Sequence, residues 1–390
     1  MNCTVTEKTG VAIQHAIDAA AGQGGGRVTL EPGVYHSGTI RLRSNIELHI
    51  PAGVKIQGFD KPDAYDDFPF PEGVYPENGK KALLVCENAE NVSVTGNGEI
   101  NGNGSAFYDM NVFLGAFFAK PPHPRPRMVQ FYKCRNVLFE GVSFVDSPGW
   151  TFFLSECEDV VISRIRVEGC QRMINNDGID IDSCKRVAVS NSFFRTGDDC
   201  LILRAIRKDR VIPAVCEGVV VTNCVLDSWC QGIRVGCISD DTIHACRFDN
   251  IVFKGRGNGI VFEYPMRYVR KDDEGYISVS DISFNHISID SGCHPIRICC
   301  DPEMKPRRIA DISFTNIKAR GKHPITLCCT PERPLEDITF SDFSFEIEGD
   351  IPLSIKSVRR LAMERVSIIA AMGTPVPFVR KPSASWETQF

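Results

Sequence analysis

The segments DISFNHISID (281–290), DISFTNIKAR (311–320) and DITFSDFSFEI (337–347) repeat one short pattern. In each segment apolar residues alternate with polar ones, a polar corner follows, and a second alternating stretch begins. Alternation with a period of two is typical of a β-strand that buries one face. Each segment therefore predicts two strands joined by a corner.

The same sequence pattern recurs along most of the chain. The other copies are NVSVTGNGEI (91–100), NVLFEGVSFVDS (136–147), DVVISRIRVEG (159–169), RVAVSNSFFRTG (186–197), GVVVTNCVLDS (218–228), NIVFKG (250–255) and the weaker RLAMERVSII (360–369). After a first interval of 45 residues, successive copies start 23 to 32 residues apart. A two-strand unit cannot bury its apolar face alone, whereas stacked units share one core. No amphipathic stretch of helical length separates the copies. We therefore expect an all-β chain, a right-handed parallel β-helix (a solenoid) that forms a single domain over residues 1–390.

Three stretches depart from the repeat. Residues 9–21 (TGVAIQHAIDAAA) carry apolar side chains at helical spacing, which predicts a short helix that caps the N-terminal end of the core. Residues 104–128 and 263–276 interrupt the period and are expected to be loops. Long loops on a rigid solenoid commonly form the walls of a binding cleft.

Composition excludes several classes of function. The net charge of −5 gives no general attraction to nucleic acid or anionic membranes, and no stretch of 18 apolar residues predicts a transmembrane helix. The first 26 residues lack the basic leader of a secretory signal, and none of the 17 cysteines is spaced as C-x-x-C. This cysteine usage favours reduced thiols over disulfides or structural zinc. We expect a cytoplasmic protein with neither nucleic acid nor membrane as a partner.

Acidic residues cluster in two neighbouring copies, within NNDGIDIDSC (175–184) and TGDDCLILR (196–204). Asp177 and Asp198 are 21 residues apart, about one coil, so we expect them one above the other with backbones roughly 5 Å apart. Asp199 follows directly. Neighbouring negative charge raises the pKa of one member, which then keeps its proton. Cleavage of a glycosidic bond needs such an acid beside a carboxylate that activates water, so we predict these three aspartates as a catalytic site.

The acidic motifs resemble those of a known enzyme family. NNDGIDI and GDDC resemble motifs of glycoside hydrolase family 28, the polygalacturonases and rhamnogalacturonases. The likeness extends to AIQHAIDAA (12–20), GGGRVTLEPGVY (24–35), RPRMVQFYKCRNV (125–137) and SPGWT (147–151), in the family's order and spacing. The resemblance implies an inverting hydrolase on a parallel β-helix, a mechanism that needs no metal and no cofactor.

The resemblance also implies a role for each aspartate. Asp198 would be the general acid, and Asp177 and Asp199 would hold and activate the water. Asp180 and Asn175 would line the adjoining sugar site as substrate-binding residues.

Two motifs of the family are altered in this chain. The G-H-G motif appears as Cys230-Gln231-Gly232, without its histidine, and the R-I-K motif, which grips a galacturonate carboxylate in the family, falls on Val261-Phe262-Glu263. Losing charge-assisted hydrogen bonds of about 1.5–3 kcal/mol each should weaken binding of an acidic sugar. Candidate substrate-binding residues are therefore Gln231 and Glu263 themselves, with Arg204 and Arg234 as replacement cations. Arg234 is preferred, because alternation along QGIRVG should place it on the same face as Gln231 and Gly236 or their neighbours.

Two tryptophans complete the set of substrate-binding candidates. Trp150 and Trp229 lie beside the motifs in sequence, and each is either a platform for a sugar ring or a packing residue.

Three functions remain open from the sequence. The first is an inverting glycoside hydrolase on pectin-like or other plant oligosaccharides, exo-acting if the loop at 104–128 closes one end of the cleft. The second is a β-helix lyase or epimerase acting on uronic acids, in which Ca²⁺ or arginine would neutralise the substrate carboxylate. The third is a carbohydrate-binding solenoid without catalysis. The GDDC context favours the hydrolase, with an oligosaccharide as partner and the oligomeric state left open.

Overall fold

The protein is built almost entirely from β-strands stacked in parallel. The computed structural model describes residues 2–68, 79–208, 211–269, 276–349 and 351–370. Each long strand pairs in parallel with the strand of the next coil, so the chain winds as the right-handed parallel β-helix that the repeat predicts. The predicted fold class is confirmed.

One sheet of eleven strands, called the shorter sheet below, takes one strand from each coil. Its strands are Ile40–Arg41, Ala82–Glu87, Arg127–Tyr132, Phe152–Ser155, Ile179–Asp182, Leu201–Arg204, Gln231–Val235, Asn258–Tyr264, Ile296–Cys300, Ile325–Cys328 and Leu353–Lys356. This sheet carries the acidic motifs.

A second sheet of nineteen strands, called the longer sheet, closes the remaining sides of the coils. Its strands are Asn2–Val5, Gly26–Leu30, Gly33–Ser37, Ile46–Ile50, Val54–Gly58, Glu90–Gly96, Glu99–Asn101, Arg135–Glu140, Ser143–Val145, Glu158–Ser163, Arg166–Glu168, Lys185–Ser190, Phe193–Thr196, Val215–Ser228, Thr242–Gly255, Ser278–Ser291, Arg308–Gly321, Leu335–Ile347 and Val358–Ala370. The repeated phrase of the sequence forms these strands. From Val215 onward, the two strands of each phrase merge into one continuous bent strand.

The bends depend on residues that tolerate a left-handed backbone. Asn191, Asn223 and Asn250 occupy the corner of three successive coils with φ between 52° and 56°. Asparagine adopts this conformation more readily than most residues. The side-chain amide of Asn250 also donates to Asn223 Oδ1 at 2.7 Å, and that of Asn223 donates to Asn191 Oδ1 at 3.2 Å. The polar corner of the repeat therefore both turns the chain and links the coils.

Inward-facing apolar side chains form one core along the coils. Its most regular part is a stack of four phenylalanines, Phe248, Phe284, Phe314 and Phe340, which are paired in register. Their ring centroids lie 4.8, 5.1 and 4.9 Å apart at small interplanar angles. Each ring therefore covers the next over several coils, which holds the coils at a fixed spacing.

Most of the cysteines belong to this core, and none of the 17 forms a disulfide. All 17 are free thiols. Four are buried at the same corner of successive coils, between the shorter sheet and the longer one: Cys134, Cys157, Cys184 and Cys216. A small apolar side chain fills that position each time.

The N-terminal cap forms as predicted. A helix spans Gly10–Gly22, and the hydroxyl of Thr9 accepts a hydrogen bond from the backbone N–H of Ala12 at 3.2 Å. This is the contact expected of an N-cap threonine. Ile13 and Ile17 are buried, so the helix covers the first coil.

The two predicted loops are shorter than expected. The first ends at residue 126, because Arg127 already begins a strand, and it contains a 3₁₀ turn (Gly104–Phe107) and a hairpin of Phe113–Leu114 with Phe117–Phe118. The second begins only after Tyr264, where Asn258–Tyr264 ends, and its residues 270–275 lie outside the described ranges.

The prediction of one domain over residues 1–390 stays a prediction, because residues 371–390 also lie outside those ranges. Among the helices that the structure describes, none has the length and apolar character needed to cross a membrane.

Removing one ring of the phenylalanine stack should destabilise the coils. Phe284→Ala deletes a fully buried side chain between two stacked rings, so we expect the free energy of unfolding to fall by about 3–5 kcal/mol in urea denaturation. Phe193→Ala is the matched control, because Phe193 is 46% exposed and its loss should cost less than about 1 kcal/mol. Equal losses for the two variants would contradict the proposed importance of the stack.

Candidate active site

The acidic residues lie at the start of two adjacent strands of the shorter sheet. Ile179 pairs with Leu201, an offset of 22 residues, and the N–H of Gly178 donates to the carbonyl of Asp199 at 2.8 Å. The expected offset of 21 was therefore wrong by one residue. Asp199 occupies the position next to Asp177 on the following coil, whereas Asp198 lies one residue earlier, at the corner. Backbone pairing sets this register, and the spacing of the acidic motifs alone could not reveal it.

The three aspartates differ in burial and in their hydrogen bonds. Asp177 and Asp199 are 3% and 0% exposed, whereas Asp198 is half-buried. Asp198 Oδ2 accepts the backbone N–H of Asn175 at 2.9 Å, and Asp199 Oδ2 accepts Nη1 of Arg234 at 2.9 Å. Oδ1 of Asp177 and Oδ1 of Asp199 are buried and have no hydrogen-bond partner among the described residues. Unpaired buried oxygens of this kind are suited to a bound water or a substrate hydroxyl.

Burial and mutual repulsion keep a proton in this cluster. Burial raises the pKa of Asp177 well above its usual range, and the negative charges of Asp198, Asp180 and Asp199 raise it further. Burial also raises the pKa of Asp199 to about 6, although Arg234 opposes the shift. The expectation that one member of the cluster stays protonated near neutral pH therefore agrees with the electrostatics of the folded chain.

Asp180 and Arg204 form a buried pair next to the cluster. Nε and Nη2 of Arg204 lie 2.9 and 2.7 Å from Asp180 Oδ1, and the two side chains are 5% and 0% exposed. Burial raises the pKa of Asp180 to about 7, and Arg204 opposes this shift. Because its charge is used by Asp180, Arg204 is not the open replacement cation that the sequence suggested.

The two tryptophans have different environments. Trp150 is only 4% exposed, and the guanidinium carbons of Arg127 and Arg204 lie 4.2 and 4.5 Å from the ring centroid. The candidate sugar platform at Trp150 is therefore a packing residue, because its ring is covered by two arginines. Trp229 is half-buried, with Phe117 at 6.1 Å and Arg256 at 4.3 Å. Its ring is therefore more exposed than that of Trp150, although Arg256 lies over it.

Arg234 faces outward, as alternation predicted, while Ile233 and Val235 enter the core. Its Nη1 binds Asp199, and its Nη2 lies 2.6 Å from Glu263 Oε2. The other oxygen of Glu263 accepts Nη1 of Arg297 at 3.2 Å. Both terminal nitrogens of Arg234 are thus engaged by carboxylates of the protein.

The remaining predicted residues form part of the wall around the cluster. Oε1 of Gln231 accepts the amide of Asn258 at 2.6 Å, one coil away. Oδ1 of Asn175 accepts Nη2 of Arg125 at 2.9 Å, and the hydroxyl of Tyr108 donates to the carbonyl of Ile174 at 2.8 Å. The loop at 104–126 is thereby fastened to the segment that precedes Asp177, as expected of a cleft wall.

Sequence reasoning missed Cys230 and Arg297. The thiol of Cys230 and one carboxylate oxygen each of Asp198 and Asp199 lie within 4.8 Å of one another. In the described part of the chain, this is the one such group of three that could hold a metal ion. A signal for Arg297 was present, because Ile-Arg recurs in GIRV and PIRI at paired positions two coils apart. Cys230 is the first residue of the altered G-H-G motif, but nothing in the sequence marked its thiol as part of the site.

Comparison with known proteins agrees with this geometry. A polygalacturonase of Persea americana is 26% identical over 250 residues, which cover 62% of this chain and 51% of that protein. The chain thus spans about half the length of that relative. An endo-polygalacturonase of Pectobacterium carotovorum subsp. carotovorum is 24% identical over 290 residues, or 65% and 71% of the two chains. The crystal structure of a hyperthermoactive exopolygalacturonase from Thermotoga maritima shares the fold, with a TM-score of 0.78, 24% identity and coverage of 96% and 93%.

The family model for glycosyl hydrolases family 28 matches residues 28–364, a range that contains every strand of the shorter sheet and all three aspartates. The chain belongs to glycosyl hydrolases family 28.

Proposed function

We propose that the protein is an inverting glycoside hydrolase that cleaves glycosidic bonds in pectin-like oligosaccharides. The observation that carries this proposal is the cluster of Asp177, Asp198 and Asp199 on the shorter sheet, in which burial raises the pKa of two members. A proton held beside ionised carboxylates is what hydrolysis of a glycosidic bond requires. Family membership and the polygalacturonase relatives support the class of substrate.

The geometry suggests how the three carboxyl groups divide the work. Asp198 is the most exposed and lies at the corner, so it can reach the leaving oxygen and protonate it. Asp177 and Asp199 lie deeper, and each has a buried oxygen free to hold a water. Arg234 favours the ionised form of Asp199, which can then take the proton from the attacking water.

The surroundings of the cluster support exo-action on short substrates. The loop at 104–126 is bonded to the segment beside Asp177, and its Phe117 reaches Trp229. A wall fastened in this way would close one end of the cleft and favour removal of terminal sugars. The proposal includes a cytoplasmic location, which the 17 free thiols support.

The stereochemistry of the product tests the function directly. A short separation between carboxyl groups allows direct attack on the sugar and retention, whereas a water held by two carboxylates gives inversion. We expect NMR of a galacturonate oligosaccharide during hydrolysis to show inversion at the anomeric carbon, with terminal monosaccharide released first. An unsaturated sugar, with loss of activity in a chelator, would identify a lyase. Binding without any product would identify a carbohydrate-binding protein.

Asp198→Asn should remove the acid and keep the shape of the site. We expect kcat to fall by a factor of about 10² or more, with a much smaller change in KM, because substrate contacts persist while protonation of the leaving oxygen is lost. Steady-state release of reducing sugar measures both parameters. Asp290→Asn, an exposed aspartate on the longer sheet, is the matched control and should leave both unchanged. Full activity of Asp198→Asn would disprove the assigned role.

The raised pKa of Asp177 also predicts a pH-dependent effect on stability. A carboxyl whose pKa is higher in the folded state than in the unfolded chain favours folding at low pH, and this contribution is lost as the pH rises through the folded-state pKa. Asp177→Asn should therefore raise Tm by about 1–3 °C at pH 8 and by much less near pH 4, as measured by calorimetry. With Asp290→Asn the difference from the wild type should be the same at both pH values. A lower Tm for Asp177→Asn at pH 8 would show that the Asp177 carboxylate stabilises the fold.

A further inference from the structure

Four charged side chains form a continuous chain of ion pairs that starts at the catalytic cluster. Arg234 bridges Asp199 Oδ2 at 2.9 Å and Glu263 Oε2 at 2.6 Å, and Arg297 binds Glu263 Oε1 at 3.2 Å. The four residues come from four successive coils, so this series of ion pairs runs along the cleft away from Asp199. One guanidinium separates Glu263 from the catalytic carboxylate. Glu263 therefore borders the sugar position next to the reacting bond.

This arrangement is unfavourable for a sugar that carries a carboxylate. Both terminal nitrogens of Arg234 are already bonded to protein carboxylates, and its side chain is only 14% exposed. The charges of the two arginines and the two acids in this series of ion pairs cancel. A uronate carboxylate at this position would approach Glu263, whose side chain is 21% exposed, while both Arg234 and Arg297 are already paired with protein carboxylates.

The same groups are well suited to hydroxyl groups. A carboxylate has about four lone-pair positions, and Glu263 uses two of them for arginines, so others remain for sugar O–H donors. Arg297 is 33% exposed and keeps further N–H donors for sugar oxygens. Hydroxyls on adjacent carbons can donate to one of these groups and accept from the other. Such hydrogen bonds are strengthened by the charge of the protein partner.

Several polar neighbours of Arg234 and Arg297 on the shorter sheet are uncharged. Gln231 and Asn258 are bonded to each other on the adjoining coils, and Thr326 pairs in register with Arg297 on the next coil. An amide pair and a hydroxyl favour recognition of hydroxyls in the same way.

We propose that Glu263 and Arg297 form a subsite for an uncharged sugar ring, so that the preferred substrate carries a neutral residue beside the bond that is cleaved. This inference rests on the proposed glycoside hydrolase activity and specifies its substrate class. It makes Glu263 a specificity-determining residue.

The test compares two oligosaccharides that differ in one group. One is a galacturonate oligosaccharide, and the other is the same oligosaccharide with its carboxylates reduced to primary alcohols. Binding is measured by titration calorimetry with the Asp198→Asn variant, in which turnover is suppressed. We expect the neutral compound to bind at least tenfold more tightly. Equal or tighter binding of the acidic compound would overturn the proposed subsite.

Two further variants connect the preference to the named residues. In the Asp198→Asn background, Arg297→Gln should weaken binding of the neutral compound without favouring the acidic one, because it removes a cation. Glu263→Gln should reduce the preference for the neutral compound at least fivefold, because it removes the charge that opposes a uronate. Glu346→Gln, on the longer sheet, is the matched control and should not change the preference. An unchanged preference in Glu263→Gln would assign recognition to other residues and refute the proposal.

Cleavage by the wild type is measured separately on both compounds. If neither compound is cleaved while the neutral one still binds more tightly, the hydrolase proposal fails and the subsite stands. If both are cleaved and the acidic one binds as tightly as the neutral one, the subsite proposal fails and the hydrolase stands.

Discussion

The hydrogen bonds between successive coils determine the position of every outward side chain in this protein. The parallel ladder allows no side chain to move along the coil without breaking a row of backbone bonds. Asp177 and Asp199 face the same cleft because Ile179 pairs with Leu201. The same pairing brings Arg234 and Arg297 into line, two and four coils from the strand that follows Asp177. The site is thus a property of the register, and the stacked phenylalanine rings help to maintain it.

Holding acids in this register has an electrostatic cost. Asp177, Asp180 and Asp199 are all nearly buried, and one oxygen of each lacks a hydrogen-bond partner in the described part of the chain. Arg204 compensates Asp180, and Arg234 compensates Asp199, whereas Asp177 is relieved chiefly by keeping a proton. Paired or apolar side chains at these positions would make the protein more stable. The buried acids are retained because the proposed chemistry needs them.

Much of the fold and the location of the site can be predicted from the sequence, because the alternation of apolar and polar residues and the polar corners indicate which side chains are buried. The contacts within the site do not. The one-residue error in the offset between Asp177 and its neighbour arose because corners differ in length, and only backbone pairing reveals that length. The choice between platform and packing residue at Trp150 stayed open, and Arg204 was considered as a replacement cation, because the sequence does not show that Arg204 covers the Trp150 ring and pairs with Asp180. The sequence placed Arg234 on the correct face. Its two carboxylate partners come from different coils, so the residues near Arg234 in sequence could not predict them.

The spacing of the coils has an evolutionary consequence. Adjacent parallel strands are separated by about 4.8 Å, a step comparable to the length of one sugar residue. Gain or loss of a whole coil beyond Arg297 would therefore lengthen or shorten the groove by one monosaccharide and leave the reacting carboxyl groups untouched. Substrate length and catalytic chemistry are thus separable in this architecture. A lineage can change the size of the oligosaccharide it accepts by duplicating or deleting a repeat.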